Sequence, residues 1–270
     1  MKKMFLKTYG GTDYYPVDLY SLLVYNVIGE VGSASSTRNI RLRNDSTNAE
    51  QDFLFDGSAA SKSAINNWLS GAVAKVVTFY NEGLGGSTYD YTQTNPSGQA
   101  ILDTTNWLVD YSTGNHTYST NTTTSTLGAD STVLVSFKTQ NQLKYSGFLE
   151  EYQNNGRYVA IMSDTNSSLS SALDYRKTGL TQVNYSSQLA MNIDKVMILV
   201  YDNGVYSISD ENGLIGSITM TSPFTGNTRF NLGIQTRGAN RFNGLGKGII
   251  VHNGLLSASI TLELQTNIAI

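Results

Sequence analysis

The second half of the chain alternates apolar and polar residues, which is typical of strands with one buried face. Residues 132–138 and 157–163 alternate over part of their length, and residues 195–201 are apolar between their ends. Asn203-Gly204 separates this apolar run from another at residues 205–208. Because an Asn-Gly pair tolerates positive φ at both central turn positions, the sequence predicts a β-hairpin here. Three more strands are predicted at residues 214–220, 229–236 and 247–252.

The first half contains one predicted helix. Ser61 or Ser63 can cap its start, residues 64–65 and 68–69 place apolar side chains on one face, and Gly71 can end it. A strand is predicted at residues 73–80. Residues 89–130 are rich in Thr, Ser, Asn, Gly and Tyr, and we interpret them as strand edges and long surface loops, with partial disorder as the alternative. Closely spaced strands without a long helical pattern favour a β-sandwich over βαβ units.

Composition and charge exclude several classes of partner. Hydrophobic residues make up 40% of the 270 positions and charged residues only 14%, so the chain can bury a large core beneath a polar, weakly charged surface. The net charge of −3 provides no basic excess for nucleic acid or anionic lipid. The apolar runs are too short to span a bilayer, and the start lacks the apolar stretch of a secretory signal. The absence of cysteine excludes disulfides and thiolate metal sites.

Two blocks in the first half resemble the catalytic module of the α-L-arabinofuranosidase B family. One comprises Tyr20-Ser21-Leu22 and residues 40–55, and the other comprises residues 76–86 followed by Thr92-Gln93. Phe79 and Asn81 stand where that family has Trp and Asp. Residues 242–257 resemble the last strand and exit of laminin-G-like modules. Both families share a concanavalin A-like fold, so the resemblance implies an all-β jelly-roll sandwich with one short helix over residues 20–270, preceded by an N-terminal arm at residues 1–19.

The resemblance assigns no catalytic residue. The family uses a Glu nucleophile and an Asp acid downstream of the matched blocks, and neither surrounding motif is found in this sequence. From the residues alone, Glu150 and Glu151 are the best candidates for one carboxylate, because an alternating strand would point only one of them into a groove. The alternative is solvent-facing charge at a strand end. Turn chemistry is the interpretation for the other acids near strand ends, Asp194, Asp202, Asp210 and Glu211.

The first block concentrates polar residues that permit two interpretations. Their oxygens could coordinate a hard cation such as calcium, whereas the resemblance implies a structural network in which the arginines form ion pairs. We predict the structural polar network, and neither a metal nor a cofactor. The block comprises Arg41, Arg43, Asp45, Asn48, Glu50 and Asp52. The two histidines, His116 and His252, have no zinc-type partner at a suitable spacing.

Aromatic residues in the loop-rich middle are candidate glycan contacts, because exposed rings stack on sugar faces. The alternative is that some of them belong to the core or to an interface. The candidates are Tyr89, Tyr91, Trp107, Tyr111 and Tyr118.

Three functions are compatible with this sequence. The first is a non-enzymatic phage virion surface protein, such as a head fibre, tail fibre or decoration protein. It would be made in the host cytoplasm, attached to other virion proteins through residues 1–19, homotrimeric, and able to bind a host-surface glycan. The second is a glycoside hydrolase of arabinofuranosidase type acting on polysaccharide. The third is a free lectin module. The missing catalytic motifs and the polar, weakly charged composition favour the virion protein.

Overall fold

The computed structural model describes most of the chain from residue 38 onwards. The described residues are 7–9, 12–14, 23–26, 38–55, 58–81, 87, 90–112, 116, 118–120, 130–141, 146–153, 157–163, 173–177, 180–185, 194–219, 228–233 and 242–268. Before residue 38 and from 146 to 185 the description is of the backbone alone.

The described chain consists of twenty strands and two helices, with a 3-10 turn at Pro96–Gly98. The strands of the first half are β1 Lys7–Tyr9, β2 Thr12–Tyr14, β3 Leu23–Asn26, β4 Ile40–Asn44, β5 Glu50–Phe53, β6 Ala74–Phe79, β7 Tyr91–Thr92, β8 Ile101–Asp103, β9 Leu108–Asp110 and β10 Tyr118–Thr120. Those of the second half are β11 Ser131–Asn141, β12 Ser146–Gln153, β13 Arg157–Ser163, β14 Leu173–Lys177, β15 Leu180–Tyr185, β16 Asp194–Asp202, β17 Val205–Asp210, β18 Gly213–Thr219, β19 Thr228–Leu232 and β20 Asn243–Asn253. The helices are α1 Ala59–Leu69 and α2 Ala258–Ile268.

Eighteen strands form one antiparallel hydrogen-bonded network that folds into two layers. The first layer has the order β18-β17-β16-β11-β20-β3. The second layer begins with the order β5-β4-β6. From β6 one branch continues as β7-β10-β19-β12-β13-β14-β15. A second branch from β6 continues as β8-β9. Strand β9 also pairs with β20 and joins the layers. The predicted all-β sandwich is confirmed. Within the described residues, β1 and β2 form a separate two-stranded antiparallel sheet.

The core lies between the two layers and follows from the alternation of the strands. Val133, Val135 and Phe137 of β11 belong to the same buried cluster as Leu42 of β4 and Val76 of β6. In a strand, every second side chain lies on the same face, so one face of β11 faces the second layer.

The opposite face of the first layer is covered by helix α2. Leu134, Ile198 and Ile250 form a separate cluster with Leu264 of α2, which is only 1% exposed. A second helix corrects the prediction of one short helix. Its sequence contains several β-branched residues, which have low helix propensity, and its position on an apolar sheet face stabilises it through tertiary packing. Of the two helices in the described part of the chain, neither has the length and apolar run that crossing a bilayer requires.

Local signals account for the other elements. The predicted hairpin is confirmed: β16 and β17 pair around Asn203 (φ 44°) and Gly204 (φ 86°). Helix α1 is confirmed with a different start, because the Oγ of Ser58 accepts from the backbone N–H of Ser61 at 3.1 Å and caps the helix. Ser61 and Ser63, the predicted caps, therefore lie within α1.

The described residues of the loop-rich middle include several short strands. Four short strands, β7 to β10, lie between residues 91 and 120 and bond to longer strands of both layers. The prediction of strand edges in this stretch is confirmed. The predicted N-terminal arm lies mostly outside the described residues.

Candidate functional site

Asp52, on strand β5 of the β4–β5 pair, is a highly connected acid. The register places Arg41 directly opposite Asp52, with Arg41 Nε 2.6 Å from Asp52 Oδ1 and an Arg41 terminal nitrogen 3.2 Å from Oδ2. Arg38 donates to Oδ2 at 2.9 Å, and the Tyr80 hydroxyl donates to Oδ1 at 2.8 Å. A carboxylate has about four acceptor sites, so these four bonds engage the whole group.

These donors determine the ionisation of Asp52. Hydrogen bonds from Arg41, Tyr80 and Arg38 outweigh partial burial and lower the pKa of Asp52 from 3.8 to about 2. Burial, together with the bond to Asp52, raises the pKa of Tyr80 to about 12. Asp52 is thus a permanently ionised acceptor near neutral pH. A fully engaged carboxylate with so low a pKa is a poor general base and a poor nucleophile.

Asp90 bonds to the residue that follows Tyr80, and its pKa shifts in the opposite direction to that of Asp52. It is buried, and its Oδ1 accepts from the backbone N–H of Asn81 at 2.7 Å. Burial is the largest cause of a raised pKa at Asp90, which the Asn81 N–H and the positive charge of Arg38 partly oppose. The Arg38 guanidinium lies 4.1 Å from the centre of the Tyr80 ring, as in a cation–π contact.

A second network surrounds Arg43, the other arginine of β4. Its three donor nitrogens bond to Gln99 Oε1 at 2.9 Å, Asn48 Oδ1 at 2.9 Å and Asp45 Oδ1 at 3.1 Å. Gln99 is itself buried and donates to the carbonyl of Gln93 at 2.9 Å. The Arg43 guanidinium therefore lies among the side-chain oxygens of Asp45, Asn48 and Gln99, which a metal cation would otherwise use as ligands. Its positive charge would repel a metal cation.

Metal ligation finds no support in the described side chains. They contain no group of three or more His, Cys, Asp or Glu placed to hold an ion. His116 is buried, and Tyr111 presents its ring edge-on at 6.4 Å. Burial lowers the pKa of His252.

The predicted glycan-contacting aromatics lie in the core wherever they are described. Tyr91, Tyr111 and Tyr118 are at most 1% exposed. The Tyr118 hydroxyl donates to the carbonyl of Val76 at 2.7 Å and accepts from the N–H of Ala100 at 2.8 Å. Stacking on a sugar needs an open ring face, which these rings do not offer, so the core alternative applies to them.

Trp107 is also buried, with 9% of its surface exposed. It stacks on Phe55 with the ring centres 5.0 Å apart, and Lys62 Nζ lies 5.5 Å from the centre of the indole ring. It too is a core residue. Tyr89 lies outside the described residues.

The described backbone separates the two adjacent glutamates by register. On strand β12, Glu150 lies opposite Asn231 of β19, and Glu151 lies opposite Phe230. Asn231 is a buried polar residue next to Leu232, which belongs to the core. The side chains of Glu150 and Glu151 lie outside the described residues. Among the other acids, Asp210 has the predicted turn contact, because its Oδ1 accepts from the N–H of Asn212 at 2.8 Å. Lys195 Nζ also lies 3.4 Å from Asp210 Oδ2 and pairs with Glu211.

A cleft opens beside the first block, between the β4–β5 turn and the end of α1. It encloses about 350 Å³ and is lined by residues 44, 46, 47 and 68–72. Trp68 is half-buried there and presents an edge-to-face contact to Phe53 at 5.2 Å.

Sequence reasoning missed several residues of these sites. Arg38, Tyr80 and Gln99 join the networks across 14 to 56 positions of sequence. Tyr80 had a usable signal, since it lies inside the second block that resembles arabinofuranosidases. Arg38 and Gln99 had none.

Comparisons by sequence find no matching family model and no matching curated protein. Solved structures do match. A GH54 α-L-arabinofuranosidase soaked with a cyclic sulfate inhibitor superposes with a TM-score of 0.72 at 13% identity, over 92% of this chain and 62% of that one. The fold of the present chain is therefore similar to that of GH54 arabinofuranosidases.

Two further structures agree with this similarity. A Glu-to-Gln variant of a GH54 α-L-arabinofuranosidase soaked with 4-nitrophenyl α-L-arabinofuranoside gives a TM-score of 0.73 at 13% identity. An arabinofuranosidase complexed with arabinofuranosyl-α-1,2-xylobiose gives 0.68 at 14%. Both matches cover 92% of this chain and 62% of the other. The chain thus spans about three fifths of the length of the arabinofuranosidases it matches.

These matches correct the functional prediction. A non-enzymatic phage virion surface protein is the wrong interpretation, because the structures that superpose on nearly the whole chain are arabinofuranosidases and favour a glycan-binding or glycosidase fold. The prediction relied on catalytic motifs missing from the sequence. Motif recognition fails readily at 13% identity, whereas a fold persists, so the missing motifs were weak grounds for that assignment.

Proposed function

We propose that this chain is a glycoside hydrolase of α-L-arabinofuranosidase type that acts on polysaccharide. The observation that carries the proposal is the superposition of 92% of the chain on GH54 arabinofuranosidases at TM-scores of 0.72 and 0.73. The low proportion of charged residues, 14%, also suits a neutral polymeric substrate.

Glu150 is the carboxylate that we propose as nucleophile. A retaining glycosidase needs an ionised carboxylate about 5 Å from a protonated one. Strand β12 lies inside the second layer with β13 and β19 on its two sides, and its register pairs Glu150 with the buried polar Asn231. Glu151 pairs instead with Phe230, which supports assigning the two glutamates different roles.

We infer that the first block supports the fold rather than the reaction. Asp52 accepts four hydrogen bonds and has a pKa of about 2, and Asp45 and Asn48 accept from Arg43. Asp52 is therefore not poised for proton transfer near neutral pH, and Asp45 is engaged in an ion pair with Arg43.

Hydrolysis of 4-nitrophenyl α-L-arabinofuranoside and release of arabinose from arabinan test the proposal. Glu150→Gln should lower kcat/KM on the order of 10³-fold, whereas Glu151→Gln, the matched control, should change it by less than about threefold. Azide should restore turnover to Glu150→Ala, because a small anion can replace a missing nucleophile but cannot repair a folding defect. Absence of turnover on both substrates by the wild-type chain would refute the proposal.

A second candidate function is glycan binding without turnover. It is favoured by the absence of recognisable sequence motifs around the family's catalytic pair and by the coverage of only 62% of the enzymes' length. Affinity electrophoresis in arabinan and arabinoxylan gels distinguishes the two. Retardation of the wild-type chain with no released sugar would favour the binding module.

A further inference from the structure

The cleft beside α1 combines a half-buried indole with a polar rim. Trp68 makes an edge-to-face contact with Phe53 at an interplanar angle of 65°, is half-buried, and is one of the residues that line the cleft. The other tryptophan, Trp107, is enclosed between Phe55 and Lys62. Trp68 is therefore the tryptophan able to offer apolar surface to the C–H face of a sugar ring.

The rim of the cleft carries hydroxyl groups with unused hydrogen-bonding capacity. The Ser70 hydroxyl donates to the carbonyl of Asn67 at 3.1 Å, which leaves its oxygen free to accept. The Thr47 hydroxyl accepts from the N–H of Ala49 at 3.3 Å, which leaves its proton free to donate. The exposed Ser46 hydroxyl has no partner among the described residues.

No ionisable residue lines the cleft. Asp45, its charged neighbour in the turn, is paired with Arg43 at 3.1 Å. The cleft therefore suits a neutral polyhydroxyl ligand and provides no counter-charge for an acidic one. Its volume of about 350 Å³ is within the range of small-ligand sites.

One buried side chain holds the two walls of the cleft together. Asn44 Nδ2 donates to the carbonyl of Leu69 at 3.2 Å, while Asn44 Oδ1 accepts from the N–H groups of Ser46 and Thr47 at 3.0 and 3.2 Å. The end of α1 and the β4–β5 turn are thus tied to a single residue that is 4% exposed. Such prior fixing lowers the entropy lost when a ligand binds.

The backbone at the end of α1 is unusual for its sequence. Ser70 adopts a left-handed conformation (φ 50°, ψ 38°), which glycine or asparagine ordinarily occupies after a helix. Gly71 follows with φ 86°, and a Cβ built on it would meet no atom within 4 Å. The left-handed Ser70 caps α1 beside the cleft, with its backbone N–H bonded to the carbonyl of Asn66 at 3.1 Å.

We propose that this cleft binds a neutral saccharide, with Trp68 as the stacking surface and Ser46, Thr47 and Ser70 as hydrogen-bonding partners. The site is separate from the proposed reaction, because β4–β5 and α1 form it and Glu150 lies on β12. It would hold polysaccharide at a position distinct from the proposed nucleophile.

Tryptophan fluorescence can test the proposal directly, because the chain has two tryptophans. Trp107→Phe leaves Trp68 as the sole tryptophan. Its fluorescence, excited selectively at the red edge of tryptophan absorption, should change saturably with arabinotriose or xylotriose and not with trigalacturonate. No saturation by about 10 mM of either neutral sugar would overturn the proposal, and so would a response to trigalacturonate alone.

Variants locate the binding by isothermal titration calorimetry. Trp68→Leu keeps an apolar contact with Phe53 and should weaken binding about tenfold. Ser70→Gly removes the hydroxyl while suiting the left-handed backbone, so affinity should fall without loss of thermal stability. Ser217→Ala, an exposed serine on β18, is the matched control and should bind like wild type. If Trp68→Leu and Ser70→Gly both bound the sugar with the same affinity as the control Ser217→Ala, the proposal would be overturned.

Glu150→Gln separates this inference from the proposed function. The cleft should bind neutral trisaccharide in Glu150→Gln with wild-type affinity whether or not that variant has lost turnover. Loss of the Trp68 fluorescence response in Glu150→Gln would contradict a separate site.

Discussion

Strands β4 and β11 lie in different layers of the sandwich and cover their outer faces by different means. Both turn alternate apolar residues, such as Leu42 and Val135, into the common core. On its other face, β4 carries Arg41 and Arg43, which hydrogen bonds and ion pairs hold in place. On the other face of β11, Leu134 packs beneath helix α2.

The difference shows how a sheet face without a second sheet can be stabilised. A polar face needs partners for each charge, and those of β4 come largely from the adjacent strand and turn. An apolar face needs another element to remove it from water. For β11 that element is helix α2, which begins more than 100 residues further along the chain than β11. We therefore expect the apolar face to contribute more to stability than the ion pairs, because exposed or partly exposed pairs contribute little.

The largest expected effect is at the contact between α2 and the first layer. Leu264→Ala should lower the free energy of unfolding by about 3 kcal/mol, because it removes a buried side chain from the cluster with Leu134 and Ile250. Leu262→Ala, on the same helix but 64% exposed, should change it by less than about 0.5 kcal/mol. Urea denaturation measures both, and equal losses would show that α2 does not pack through Leu264.

The ion-pair face should be less sensitive. Asp52→Asn weakens the contacts with Arg38, Arg41 and Tyr80, and should lower the free energy of unfolding by about 1 to 2 kcal/mol. Glu50→Gln is the matched control: Glu50 lies 4.0 Å from Arg41 and is 41% exposed, so its loss should be below about 0.5 kcal/mol. A loss at Asp52 larger than that of Leu264→Ala would reverse the comparison between the two faces.

Acid titration gives the smallest effect and isolates the charge of Asp52. The folded-state pKa of about 2 lies below the ordinary value of 3.8, so the stabilising contribution is complete above pH 4 and is lost as the pH falls towards 2. Between pH 5 and 2.5, wild type should lose about 1 kcal/mol more than Asp52→Asn, because partial solvent exposure of Asp52 reduces the full linkage value. Parallel losses in the two proteins would show that Asp52 does not have a depressed pKa.

Much of the fold could be predicted because its signals are local. Strands β11, β13, β16 and β17 follow runs of alternating or continuous apolar residues, and the Asn203-Gly204 turn needs only its own backbone preferences. Helix α2 could not be predicted in this way. Its stability depends on an apolar sheet face assembled from β11, β16 and β20, which no window of sequence contains.

In the candidate sites, contacts between residues close in sequence were likewise predictable, and contacts between distant residues were not. Pairing of Arg41 with Asp52 and of Arg43 with Asp45 was predictable, since these residues are close in sequence on one hairpin. The Tyr80 hydroxyl and the Gln99 amide reach the same block only through the pairing of β4 with β6 and the segment after the 3-10 turn. Burial of Tyr111 and Tyr118 was likewise undecided, because a tyrosine suits both a core and a binding surface.

By itself the sequence determined where strands begin and turn, that they would form an all-β sandwich, and that one hairpin would carry opposing charges. Only the tertiary structure decided which aromatic rings are enclosed, which distant donors engage Asp52, and that Trp68 and Asn44 meet at one cleft. The reason is that strand and turn preferences act over a few neighbouring residues, whereas enclosure and convergence depend on how segments far apart in the chain pack together.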